Sequence, residues 1–273
     1  MAPSVLITGA STGIGRACAE RLAGHGWRVL AGARADADLD ALAALPGIEP
    51  VRLDVTDAAQ VQEAGARAGA ALDALVNNAG VATTGPLELV ELDEWRRQLE
   101  VNVLGQVAVT RAVLPAILRA RGRIVNVSSI SGLVALPLFG PYSASKFALE
   151  AITDSLRREL RGQGVTVVAI EPGGVSTPIW GKGLAAGDAA TAEMDAAQAS
   201  RYGRLIGAVR TQAECSDAGG LAPAAVAEVV ETALTAPRPR TRYAVGRDVR
   251  MRAALGRLLP DRVMDALIAR ALR

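Results

Sequence analysis

The 273-residue chain carries 30 basic side chains, and only two of them, Lys146 and Lys182, are lysine. Wherever plain positive charge suffices the chain uses Arg, so the lysine in Gly-Pro-Tyr142-Ser-Ala-Ser-Lys146 needs a chemical reason. Four residues apart on a helix, Tyr142 and Lys146 share one face. An ammonium beside a phenol draws its pKa from about 10 toward neutrality, which makes a Tyr a usable acid or base. A compact ammonium also serves a sugar hydroxyl better than the planar fork of Arg. The chain's one His, His25, stands between Gly24 and Gly26 and reads as a helix cap or surface residue. A His-based mechanism is therefore excluded.

A second group is Thr8-Gly9-Ala10-Ser11-Thr12-Gly13-Ile14-Gly15, which follows an apolar run and opens a helix. Glycine permits a tight turn and lets backbone approach a ligand closely, and the N–H groups of a helix start favour phosphate. A dinucleotide fold must also hold the adenosine ribose at the end of its second strand. An acid there binds the free 2′-hydroxyl, whereas an Arg accommodates a 2′-phosphate. Here Ala33 stands in the acid's place and Arg34 follows it, which predicts NADP(H). Asp36 and Asp38 lie just downstream and leave room for NAD(H).

Such groups need rigid elements to position them. Apolar runs at 4–8, 28–33, 51–55, 74–77, 123–128, 165–171 and 242–246 predict buried strands. Between them 13–24, 57–69, 92–120, 142–161 and 223–234 have helical patterning. Unbroken apolar strands alternating with helices indicate a doubly wound α/β domain with a seven-stranded, mostly parallel sheet. No composition break divides the chain, so residues 1–273 read as one domain. Residues 178–220 have no strand signal and follow a central strand, which predicts a substrate lid. Its Ile179, Trp180, Leu184, Met194 and Leu205, with Leu136 and Phe139 upstream, predict an apolar pocket.

From Arg238 onward ten Arg against three Asp give +7, and 249–259 and 262–272 are helix-patterned. This predicts a C-terminal helical extension over 248–273 with a solvated basic face, and a membrane-surface contact stays open. Net charge of +2 overall gives no argument for nucleic acid, and no metal is expected. Two cysteines, Cys18 and Cys215, fit a reducing compartment. The opening Met-Ala-Pro-Ser lacks a basic leader, and no uninterrupted apolar run approaches the ~20 residues of a membrane span, so a cytoplasmic protein is expected.

Together with these residues, several further motifs resemble the short-chain dehydrogenase/reductase family, in the style of its hydroxysteroid and retinol dehydrogenase branch. They are Asp54-Val55, Asn77-Asn78-Ala79-Gly80, Asn102, Ser129 thirteen residues before Tyr142, and Pro172-Gly173-Gly174-Val175-Ser176-Thr177. The resemblance implies that Asp54 and Val55 hold the adenine and that the 172–177 turn holds the nicotinamide amide. It implies that Ser129 polarises a substrate carbonyl, with Ser128 as its rival, and that Tyr142 exchanges the proton. Lys146 would tune Tyr142 and bind the nicotinamide ribose, and Asn102 would keep a water linking Lys146 to solvent. Pro-S hydride transfer, a lipophilic small-molecule carbonyl or alcohol as substrate, and a homodimer or homotetramer are implied as well. Two other classes stay open: a nucleotide-sensing regulator without turnover, and an epimerase or dehydratase on the same fold.

Overall fold

Apolar runs rich in Val, Ile and Leu form the strands β1 (Ser4–Ile7), β2 (Arg28–Ala33), β3 (Ile48–Arg52), β4 (Ala74–Asn77), β5 (Arg123–Val127), β6 (Thr166–Pro172) and β7 (Arg242–Val245). The computed structural model describes residues 2–246 and 249–272, with side chains except at 212–218 and 257. Met1, Arg247, Asp248 and Arg273 of the expected domain, and the Cys215 side chain, lie outside the described residues. The sheet order is β3-β2-β1-β4-β5-β6-β7, and every neighbouring pair is parallel. Strand order reverses between β1 and β4, and this switch point opens a crevice at the carboxyl ends of the strands.

The helices are α1 (Gly13–Gly24), α2 (Asp36–Ala43), α3 (Ala58–Arg67), α4 (Leu92–Leu99), α5 (Gly105–Ala120), α6 (Gly140–Glu159), α7 (Pro178–Thr191), α8 (Ala196–Gly219), α9 (Pro223–Thr235), α10 (Val249–Leu258) and α11 (Asp261–Ala271). One face of the sheet buries Val5, Ile7, Val29 and Val76 with Leu22 of α1 and Val230 of α9. The other buries Leu6, Leu30, Leu75 and Ile124 with Val61 of α3 and Val113 and Ile117 of α5. Both faces are dry, which is why the strands read as continuous apolar runs.

Four expectations need correction. The third strand lies at Ile48–Arg52 rather than 51–55, and the shift moves Asp54 and Val55 into the loop beyond it. Pro50 disguised it; as an edge strand β3 tolerates a residue without a backbone donor. Helix α2 was missed: its Ala-rich sequence has one buried residue, Leu42, and hence no apolar stripe. The helix expected over 92–120 is interrupted by a wider π turn at Glu100–Leu104. Finally, 178–220, read only as lacking strands, forms the helices α7 and α8, joined by a short turn.

The run Leu92–Ala120 is 29 residues long and apolar enough to cross a membrane by length and composition. Its Val109, Val113 and Ile117 are buried in the fold, as core-helix residues are. His25 caps the end of α1 and pairs with Glu231 of α9, which also accepts from Arg21 at 2.6 Å.

A buried polar ladder ties β4, β5, α5 and α6 together behind the crevice. Asn77 Nδ2 donates to Thr110 Oγ1 and Asn126 Oδ1, both at 2.9 Å, and Asn126 Nδ2 donates to Thr153 Oγ1 at 2.8 Å. Asn126→Ala leaves partners stranded on both sides, each costing roughly 1–3 kcal/mol when buried. Denaturant unfolding is expected to show a loss of about 2–4 kcal/mol; a loss under about 1 kcal/mol would mean that the ladder is not holding these elements.

Candidate active site

The glycine loop folds where side chains cannot fit. Gly9 and Gly13 have φ of 64° and 56°, in the left-handed region that favours glycine. A Cβ on Gly9 would stand 2.8 Å from the Ala79 Cα, and one on Gly15 would strike Gly9 O and the Asn78 amide. Asn78 pins the turn by donating to the carbonyls of Thr8 and Gly9, both at 3.0 Å, while Thr8 Oγ1 accepts the Asn78 and Ala79 N–H groups. Thr12 precedes α1 without capping it through its side chain, so first-turn N–H groups remain for an anion. Ser11, Thr12, Gly13 and Ile14 line the resulting cleft.

At its outer end stand Ala33, Arg34, Asp38, Leu53, Asp54 and Val55. Arg34 is 65% exposed and lies 3.7 Å from Asp54. Burial works to raise the Asp54 pKa, but the Thr56 N–H and hydroxyl, with Arg34, outweigh it and hold the carboxyl below its ordinary range. Arg52, unnoticed in the sequence, donates to the Arg34 carbonyl at 2.9 Å and pairs with Asp36. Asp36 is thereby engaged, whereas Asp38 lines the cleft. Val55 packs on Gly105, where any Cβ would come within 2.6 Å of its Cγ2.

The inner end carries the chemistry. Tyr142 and Lys146, 5% and 4% exposed, sit on the same face of α6. Lys146 Nζ donates to the Val127 carbonyl at 2.9 Å and lies 5.7 Å from the Tyr142 ring centroid. Ser129 Oγ accepts the Ser131 N–H at 3.1 Å, and its side chain works to lower the Tyr142 pKa. Its rival Ser128 also lines the cleft, but its buried hydroxyl finds no partner among the described residues. Of the two serines, only Ser129 acts on the ionisation of the phenol.

The expected electrostatics are reversed in the unliganded site. Burial pushes the Tyr142 phenol up to about 12, against the lowering effect of Ser129. Burial likewise lowers Lys146 to about 8, while Glu150 one turn on works to raise it. Desolvation of both groups outweighs the attraction on which the sequence argument relied.

Asn102 is buried on the π turn. Its Nδ2 donates to Val81 O and Ser145 Oγ, each at 3.0 Å, and its Oδ1 accepts the Val81 N–H at 2.8 Å. These bonds hold the strand-end loop after Ala79-Gly80 against α6, and none runs directly to Lys146.

Pro172, Gly173, Val175 and Thr177 close the inner end from the β6 side. Trp180 donates to Val175 O at 3.0 Å, and its ring meets those of Tyr142 and Phe139 edge-on at 6.0 Å. Lys182, the second lysine, lines the cleft as well. Neither the Trp180 stacking nor the Lys182 placement had a signal in the sequence, because both depend on how α7 folds back.

A family model described as short chain dehydrogenase matches residues 3–186. NADPH-dependent 3-dehydrocapnine reductase of Ornithobacterium rhinotracheale is 34% identical, with 98% of this chain and 96% of that one aligned. Retinol dehydrogenase 5 of Mus musculus is 36% identical over 97% of this chain and 87% of its own. The match to 3-amino-tetrahydro-pyrrolizinone reductase of Xenorhabdus hominickii, at 40% identity, spans 67% of this chain and 65% of that protein. A solved short chain dehydrogenase/reductase of Burkholderia phymatum, in complex with NAD, superimposes with TM-score 0.79 at 28% identity over 93% of this chain and 92% of its own.

Gly15→Ala forces the turn apart at Gly9 and Asn78. Fluorescence titration with NADPH is expected to show affinity lowered at least about tenfold, the equivalent of ~1.4 kcal/mol. An unchanged affinity would show that this turn does not hold the nucleotide.

Proposed function

The chain belongs to the short chain dehydrogenase family, whose enzymes act on CH–OH and carbonyl groups with a nicotinamide cofactor, and from that premise we propose that it interconverts a lipophilic ketone or aldehyde and its alcohol using NADP(H). One observation carries this reading: the buried Ser129, Tyr142 and Lys146 sit at one end of a cleft whose other end is the glycine loop and Arg34. The cleft fits an extended dinucleotide, since its loop admits no Cβ at Gly9 or Gly15 and presents helix N–H groups there.

When bound, the cofactor donates or accepts the hydride. Gly9, Gly13 and Gly15 would let backbone approach its pyrophosphate, Asp54 and Val55 would border its adenine, and Asn78, Ala79 and Gly80 would form the wall behind. Lys146, which donates to the Val127 carbonyl and lines the cleft, would hold ribose hydroxyls. Tyr142 keeps its proton at neutral pH and so acts as the acid in carbonyl reduction. Ser129 orients the carbonyl oxygen toward that hydroxyl. The bonds made by Asn102 give it a positioning role, keeping the Val81 loop and α6 in register.

NADP(H) is supported by Ala33 in the acid's place and by the exposed Arg34 guanidinium. Asp38 at the same end, and the NAD in the Burkholderia phymatum structure, mark the competing choice. Trp180, Phe139 and Leu136 beside Ser129 support an apolar substrate. Ile152 and Leu156 of α6 line a shallow apolar groove with Leu114 of α5, which suits a homodimer or homotetramer; Leu149 is core. The free, buried Cys18 thiol fits a cytoplasmic setting.

Tyr142→Phe is expected to lower kcat for carbonyl reduction by about 10²–10⁴-fold while NADPH affinity stays within about threefold, under ~0.7 kcal/mol. Steady-state rates near wild type would sink the mechanism. Arg34→Ala is expected to weaken NADPH binding more than NADH binding in parallel titrations; equal losses would remove the 2′-phosphate argument.

A further inference from the structure

The charged side chains that line the cleft are Arg34, Asp38 and Asp54 at its outer end, Lys146 at its inner end, and Lys182 on α7. Arg34 lies against Asp54, and Lys146 is held by the Val127 carbonyl. Lys182 is exposed and makes no hydrogen bond or ion pair among the described residues. The backbone on either side of it is nevertheless clamped. Trp180 Nε1 donates to Val175 O at 3.0 Å, and Thr84 Oγ1 donates to Gly183 O at 2.8 Å. Gly183 packs so closely that a Cβ there would stand 3.2 Å from Ala82 O. Thr177, which precedes α7, has its Cγ2 3.0 Å from where a Gly13 Cβ would lie. Helix α7 therefore starts against the glycine loop and carries the Lys182 ammonium into the same cleft on a fixed stem.

The glycine loop by itself leaves charge unbalanced. A helix N-terminus supplies only about half a positive charge, whereas the diphosphate of a nicotinamide dinucleotide bears a negative charge on each phosphate. Ser11 and Thr12 beside that helix start are neutral. We propose that Lys182 supplies the missing cation, pairing with the cofactor diphosphate from the α7 side of the cleft. The proposal rests on the nicotinamide-cofactor reading above and adds a binding residue to it. An ammonium on a flexible stem serves phosphate as a point charge. The pairing would also fasten α7, with Trp180 against the Tyr142 ring, to the bound nucleotide.

The test is titration of wild type, Lys182→Met and Lys182→Arg with NADPH and with NADH, followed by nicotinamide fluorescence at low and high KCl. Both cofactors carry the same diphosphate, so Lys182→Met is expected to weaken both by the same factor, about fivefold or ~1 kcal/mol. Lys182→Arg keeps the charge and is expected to recover both affinities to within about twofold of wild type. Added KCl is expected to narrow the gap between wild type and Lys182→Met, because salt screens an exposed pair. Unchanged affinity for both cofactors in Lys182→Met overturns the pairing, leaves the cofactor reading standing, and frees the ammonium for an anionic group on the substrate. A loss confined to NADPH, which would assign Lys182 to the 2′-phosphate, or a loss that salt leaves untouched, overturns the pairing too. Wild type that binds neither cofactor overturns the cofactor reading and the pairing together.

Discussion

An ammonium withdrawn from water costs several kcal/mol unless its donors and charge find partners, and the arrangement around Lys146 meets that demand. The Val127 carbonyl accepts a hydrogen bond from it, and Glu150 supplies opposing charge one turn along α6. Glu150 is itself nearly buried and accepts from Arg242 of β7 at 3.0 Å. Arg242 also reaches Asp154 at 2.9 Å and Glu171 of β6 at 3.1 Å. Helix α6 is thereby tied to the last two strands through charge, and Lys146 lies at the inner end of that network. The same burial that makes the lysine costly is what brings its pKa near the working range.

Positioning of the rest follows from close backbone approach. The glycine loop can touch the strand-end Ala79 only because Gly9 has no Cβ, and Asn78 fastens the contact. On the other side of that loop, Asn102 holds Val81 and reaches Ser145 on α6. Its π turn is the local departure from regular winding that lets one Asn serve both, consistent with π bulges clustering at functional sites. Behind it, the Asn77–Asn126–Thr153 ladder sets the spacing of β4, β5 and α6. The glycine loop and the Tyr142–Lys146 face of α6 are therefore fixed to one scaffold rather than to separate loops.

Residues with hard physical requirements were legible in the sequence. Gly9 and Gly13 adopt backbone conformations that favour glycine, and Tyr142 and Lys146 lie on one helix face as their spacing demands. Ser129 was singled out by its separation of thirteen residues from Tyr142, and its effect on the phenol agrees with that choice. The third strand was misplaced because Pro50 looks like a breaker until its edge position is known. Helices α7 and α8 escaped notice because Gly183 and Val209 are their only fully buried residues among the described ones. The direction of the Tyr142 and Lys146 shifts could not be read either, since proximity is visible in a sequence and desolvation is not.

The most direct test of this account is the pH dependence of kcat/KM for carbonyl reduction, which reports the ionisations of the free enzyme, measured for wild type and Glu150→Gln. Lys146 is protonated below about 8 and loses its charge above it. The account therefore predicts a rate that holds at lower pH and falls through an inflection near 8. Removing the Glu150 charge, which supports the ammonium, is predicted to move that inflection to lower pH. A wild-type profile that stays flat up to the ordinary lysine range of about 10.4, or an inflection that Glu150→Gln leaves in place, would contradict it.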